Sequence, residues 1–317
     1  MKLNLPTMDQ LNHCNNILIA GMGGGYDLFC GLPVYFELRD IGKNVHLANY
    51  SFSDIEYFEG GHRLSPTLVG VDAAFNEPVV YFPELYLSKW FREVRNEDLT
   101  IWSFHKTGTR DLLSNYNLLI DYLNIDGILL IDGGVDSLLR GDEEETASLI
   151  EDAISLFVVN ELKQIETRLI GCIGLGAELG LSYNQLLENI AELTRKNGFL
   201  GNCSLTPQMP SYQLYEKAVF YVHSQPFQDP SVINASIISA VRGEFGNFHL
   251  TQKTHGSHLK ISPFMSQYWF FDLIKVADQN LFLPHIRETA TFWDSLQAFL
   301  STREFLPKRQ NSSSFLL

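Results

Sequence analysis

Three glycines in the spacing Gly-x-Gly-x-Gly, Gly21, Gly23 and Gly25, with Gly24 between the last two, follow directly on the apolar stretch 16–20 (NILIA). A loop without Cβ atoms can turn tightly from strand to helix and lets a phosphate or sugar approach backbone N–H groups. The same residues would also suit a β–α turn that holds nothing; strand before and helix after favour a nucleotide-type ligand. Asp27, just past the loop, reads evenly as a ligand to ribose or metal and as the N-cap of the next helix. A dinucleotide site carries an acid near the end of its second strand. Here that strand ends Leu47-Ala48-Asn49-Tyr50-Ser51 with no acid until Asp54, so neither the NAD fingerprint nor the similar methyltransferase loop is complete.

A second group begins at Asp132-Gly-Gly-Val-Asp136. An acid at the C-terminal end of a parallel strand stands where α/β proteins bind ligands. Asp132 and Asp136 would hold Mg²⁺, since hard cations take carboxylate oxygens, or would activate a water. The later acids Asp142, Glu143, Glu144 and Glu145 read as the solvated start of a helix, favoured by its dipole. Glu178, after the next strand, is either one more carboxylate on this edge or an ordinary loop acid. In the C-terminal half, Lys253-Thr254-His255 offers a cation, a hydroxyl and an imidazole. Lys253 and Thr254 suit phosphate and His255 suits acid–base work. His249 and His258 read as structural. Nothing resembles a Gly-x-Ser-x-Gly elbow, a Walker loop or a His-Glu-x-x-His zinc helix.

These residues need a scaffold. Strands at 16–20, 45–49, 100–104, 127–131 and 168–173 alternate with helices at 28–41, 85–94, 110–123 and 146–164. Strands apolar along their whole length indicate a parallel sheet covered on both faces. The stretch 51–83 reads as a long loop carrying short strands. Further helices are expected at 182–196, 212–222 and 231–241, a strand at 258–261, and an aromatic helix at 265–280 with Tyr268 to Phe271 in the core. The predicted organisation is a phosphate-binding half (12–180), an integrated helical part (181–307) and a disordered tail (308–317).

Bulk properties narrow the partners. Lys plus Arg total 23 against 37 Asp plus Glu, a net charge of −14, which disfavours nucleic acid. A small phosphate-bearing ligand remains compatible, because backbone N–H groups hold phosphate on an acidic protein. The longest apolar runs are far short of the ~18 residues that cross a bilayer, so no membrane partner is expected. No secretory leader opens the chain, and the separated cysteines Cys14, Cys30, Cys172 and Cys203 fit reduced thiols of a cytoplasmic protein. A homo-oligomer stays open.

Five blocks taken together, GMGGGYD (21–27), IDGGVDSLLRGDE (131–143), NGFLGNCSLTPQMP (197–210), PSVINASIISAVRGEFGN (230–247) and ISPFMSQYWFFDL (261–273), resemble an uncharacterised prokaryotic domain-of-unknown-function family, DUF1152. The resemblance runs from about 16 to 291. It implies one integrated fold and supplies no reaction. The expectation is a doubly wound, mainly parallel Rossmann-like α/β fold. Its function would be an enzyme acting on a nucleotide or phosphorylated small molecule, by hydrolysis or group transfer. A non-catalytic nucleotide sensor and a Rossmann oxidoreductase or methyltransferase are the alternatives.

Overall fold

A computed structural model describes residues 5–145, 149–178 and 181–310. After a short helix α1 (Pro6–Asn12), strand β1 (Asn16–Gly21) leads through the glycine loop into α2 (Asp27–Cys30) and α3 (Leu32–Asp40), then β2 (Asn44–Ser51). Gly31 and Pro33 break what periodicity reads as one helix. A Cβ on Gly31 would lie 2.7 Å from Ile19 Cγ2, so the backbone there rests directly on the sheet. The loop region carries β3 (His62–Ser65) and β4 (Leu68–Val71). Then come α4 (Pro83–Arg95), β5 (Ile101–His105), α5 (Thr109–Leu123), β6 (Gly127–Asp132), α6 (Ile150–Glu161) and β7 (Thr167–Ile173). Asn96 and Asn124, both at φ 53°, close α4 and α5 in the left-handed conformation that asparagine tolerates.

The sheet has nine strands in the order β3-β4-β5-β2-β1-β6-β7-β9-β8. The central run β5-β2-β1-β6-β7 is parallel throughout. Both edges are antiparallel, β3-β4 on one side and β9-β8 on the other. The protein is therefore α/β with a mainly parallel sheet closed by antiparallel flanks, which the sequence reading did not foresee. Helices cover both faces: α5, α6 and α7 (Tyr183–Arg195) build one core with Leu130 and Ile170. The other core holds α3, α4 and α8 (Pro210–His223) with Ile19 and Leu129.

The C-terminal half differs most from expectation. The stretch Gln267–Asp272, read as helix, is strand β9, and only Leu273–Ala277 (α10) is helical. Tyr268 and Phe270 enter one core while Phe271 enters the other, with Trp269 packed against it. A strand buried on both faces shows no alternation, so its pattern cannot be told from a buried helix. Residues 258–261 form no strand; Ile261 makes one isolated bridge to Gly246. Strand β8 (Phe199–Ser204), helix α9 (Val232–Val241) and helix α11 (Phe292–Phe305) complete the fold.

One acidic feature also differs. Glu143 does not face water: it is 1% exposed. It accepts hydrogen bonds from the N–H groups of Arg140 and Gly141 and from Asn189, and pairs with Arg309 at 3.2 Å. Of the tail, residues 311–317 lie outside the described residues, as do 146–148 at the expected start of the helix that is α6.

Candidate functional site

β1 and β6 are neighbours, and the chain order reverses between them: β2 and β5 lie beyond β1, β7 beyond β6. Loops leaving such a switch point diverge and open a crevice at the C-terminal strand ends. The glycine loop leaves β1 there, and Asp132 ends β6 there.

The loop is pinned from three sides. Met22 N–H donates to Ile131 O at 2.9 Å, and Ser155 Oγ of α6 donates to Met22 O at 2.7 Å. Asn49 Nδ2 donates to Gly25 O at 3.0 Å and to Glu84 Oε1 at 2.8 Å. The strand-end position where a dinucleotide site has its acid thus holds the loop in place. Gly21 is glycine because a Cβ would collide with Asn49, while Gly24 (φ 91°) and Gly25 (φ 57°) adopt left-handed backbone against Phe52. On α9, Asn234 accepts from Tyr215 and donates to Tyr26 O, anchoring the far end of the loop.

Asp27 is the first residue of α2 and caps nothing. Its Oδ2 accepts the Gly23 N–H at 2.7 Å, so the middle amide of the loop is taken by the protein's own carboxylate. Asp132 and Asp136 are 2% and 3% exposed, and Asp132 Oδ2 accepts the Ser137 N–H at 3.1 Å. Glu178 accepts the Val135 N–H at 2.8 Å. Asp152, on α6, is 4% exposed and its Oδ1 has no hydrogen-bond partner. The five carboxylates line one cleft of about 440 Å³, with Val232 and Ile233 of α9 on its far wall. Asp27, Asp132 and Asp152 each bring an oxygen within 4.8 Å of the others.

The glycines make room for these acids. A Cβ on Gly23 would lie 2.7 Å from Asp27 Oδ2 and 3.0 Å from both Asp152 oxygens. One on Gly133 would lie 2.7 Å from Asp27 Oδ1, and one on Gly134 the same distance from the Glu178 carboxylate.

Electrostatics here are one-sided. Burial pushes Asp132 up from 3.8 to about 6. Burial, then repulsion from Asp132, holds Asp27 and Asp136 well above the ordinary range. Asp152 and Glu178 are raised by burial and then by Asp136. No lysine, arginine or histidine lines the cleft among the described residues. Lys106, which does not line the cleft, pairs with Glu151 at 2.7 Å and lies over the rings of Phe52 and Phe292. A buried, unneutralised group of carboxylates is unstable by itself; it either takes up protons or binds a cation.

The structure therefore brings together Gly21–Gly25, Asp27, Asp132, Asp136 and Glu178. It places Lys253, Thr254 and His255 elsewhere, none of them lining the cleft. Lys253 pairs with Asp229 at 2.6 Å, Thr254 meets His249 Nδ1 at 2.9 Å, and His255 stands edge-on to His249. Sequence reasoning missed Asp152. Its signal was the acidic pair Glu151-Asp152 in the otherwise mainly apolar stretch 149–159, where Asp152 is buried with the apolar residues that follow.

No helix among the described residues is long and apolar enough to cross a membrane. No curated protein and no solved structure matches the chain. A family model described as a protein of unknown function, DUF1152, matches residues 89–303, a span that carries Asp132, Asp136, Asp152 and Glu178. The chain belongs to the DUF1152 family.

Proposed function

We propose that this protein is a divalent-cation-dependent enzyme that acts on a phosphorylated small molecule by hydrolysis or group transfer. The observation that carries it is the convergence of Asp27, Asp132 and Asp152 from three separate elements, with Asp152 Oδ1 buried and unpartnered. All-oxygen carboxylate ligation suits Mg²⁺ or Mn²⁺ rather than zinc. The reversal of strand order between β1 and β6 supports this reading, because parallel α/β sheets bind ligands at such a switch point. A phosphate cannot enter five carboxylates unaided, and a bound cation both neutralises them and draws its oxygens in. In hydrolysis, Asp136 takes the proton of a water that attacks phosphorus. The phosphorus–oxygen bond to the leaving group breaks, and that oxygen takes a proton from protonated Glu178.

The test is calorimetric titration of chelator-treated protein with Mg²⁺ and Mn²⁺, followed by turnover of a phosphomonoester and nucleotide panel. Cation binding that is lost in Asp152→Asn, with phosphate release only when the cation is present, is the expected result. Failure to bind either ion overturns the reading. A nucleotide held unchanged with the cation present would make the protein a sensor.

A further inference from the structure

The acidic cleft does not end at Glu178. Glu178 and Ala177 also line a narrow cavity of about 190 Å³ that continues beneath them towards Tyr183, Leu259 and Ile261. Those three residues, with Gly176 and Lys260, in turn line a larger cavity of about 620 Å³. Cleft, passage and cavity are therefore neighbours in series, each sharing lining residues with the next about the segment 176–178. Tyr183 OH donates to the backbone O of Glu178 at 2.7 Å, which ties the wall of the outer cavity to the residue whose side chain lines the inner cleft.

The two ends of the path differ in chemistry. The inner end gathers five carboxylates, whereas Leu175, Leu187, Leu259, Ile261 and Phe264 face the outer one. At its mouth Phe245 is 78% exposed and Phe264 44% exposed. Exposed aromatic side chains beside a concave apolar surface mark a place where a ligand's apolar part is buried. Asn184, His258 and Ser262 also line this cavity, and Asn247 Oδ1 is taken by the N–H of Leu259 at 2.8 Å. Lys260, exposed and in no ion pair among the described residues, stands along the passage, where a second anionic oxygen would meet it.

We infer that the outer cavity holds an aliphatic tail, so that the substrate is a phosphorylated amphiphile whose phosphate meets the cation in the carboxylate cleft. This rests on the cation-dependent reading of the cleft. The shared lining residues put both ends within one neighbourhood, and the ligand that fits them is a phosphate monoester of a long-chain alcohol.

The experiment uses the full chain with saturating Mn²⁺ and titrates inorganic phosphate, then ethyl, butyl, hexyl and octyl phosphate. Affinity should rise about fourfold for each methylene that becomes buried. Leu187→Gln, and separately the exposed pair Phe245→Ala with Phe264→Ala, should flatten that dependence and leave inorganic phosphate unaffected. The exposed pair cannot fail through misfolding of the core. If Mn²⁺ and inorganic phosphate bind but octyl phosphate binds no tighter than ethyl, the tail site is wrong and the cation site stands. Chain-length dependence undiminished in both variants also overturns it. If neither Mn²⁺ nor phosphate binds, both readings fall together.

Discussion

Removing one charge from the cleft should stabilise the cation-free protein, the reverse of the usual effect of altering a buried polar residue. Asp132→Asn is the suitable change, because asparagine is nearly isosteric and its carbonyl oxygen can still accept the Ser137 N–H that Asp132 Oδ2 accepts at 3.1 Å. The Asp132 carboxyl stands at about 6 in the folded protein against an ordinary 3.8. At about 1.4 kcal/mol per unit, holding it ionised costs the fold about 3 kcal/mol. Because the folded-state value is raised, the folded protein binds the proton more tightly than the unfolded chain. Stability is therefore greatest below 3.8, falls as pH rises towards 6, and carries the whole penalty above it. An unfolding entropy of about 0.7 kcal/mol/K, expected for 317 residues, turns 3 kcal/mol into about 4 °C. Chelator-treated Asp132→Asn should melt about 4 °C above wild type at pH 8, and the gap should close as pH falls towards 4. With Mn²⁺ at about 100 times its Kd, wild type should gain about 2.7 kcal/mol, again about 4 °C, and the variant nothing. Thermal unfolding followed by circular dichroism, with and without Mn²⁺, measures both. A variant that melts below wild type at pH 8 without metal, or that keeps the full Mn²⁺ shift, refutes the charge argument.

Gly23→Val should weaken Mn²⁺ binding by about 10–100-fold, as disturbance of ligand support commonly does, because its Cβ would intrude on both Asp27 and Asp152. Calorimetric titration measures this, and an unchanged Kd would show that the loop makes no room for the ligands. Glu143→Gln should lower stability by about 1–3 kcal/mol in urea, since it weakens a buried carboxylate's bonds from Arg140, Gly141, Asn189 and Arg309. Its Mn²⁺ affinity should match wild type, which separates a satisfied buried acid from the unsatisfied ones in the cleft.

How far the sequence could be read follows from burial. The five parallel strands were legible because each carries a short, mainly apolar run between stretches of helical spacing. β9 was not, since its aromatic residues enter both cores and leave no period to read. β8 was missed because Gly201 to Ser204 lie on an edge and carry little apolar content. Asp27, Asp132 and Asp136 were legible as acids at strand ends. Glu143 was misread because a run of four acids looks solvated, although only structure shows that Arg309 reaches back to it from the chain's end. Asp152 was hidden for another reason, as one of two acids in the first turn of a mainly apolar helix that a chain scan assigns to packing.

The deepest difference concerns the sign of charge at the site. An excess of carboxylates suggested that a protein cation, Lys253 or His255, must reach the pocket to receive phosphate. In the fold, Lys253 is paired with Asp229 and Lys106 with Glu151, so neither is available to the cleft. Charge balance must then come from outside the chain, as protons or as a metal ion. Protons alone would leave the cleft neutral and unable to attract phosphate, whereas a divalent ion held by Asp27, Asp132 and Asp152 would supply positive charge for it. It follows that Lys253→Ala should leave Mn²⁺ affinity and phosphate affinity as in wild type. Asp152→Asn should abolish the first and, through it, the second. Isothermal titration of both variants decides between the two sources of charge. A Lys253→Ala protein that binds Mn²⁺ normally but loses phosphate would return the cation to the protein and remove the argument for the metal as phosphate anchor.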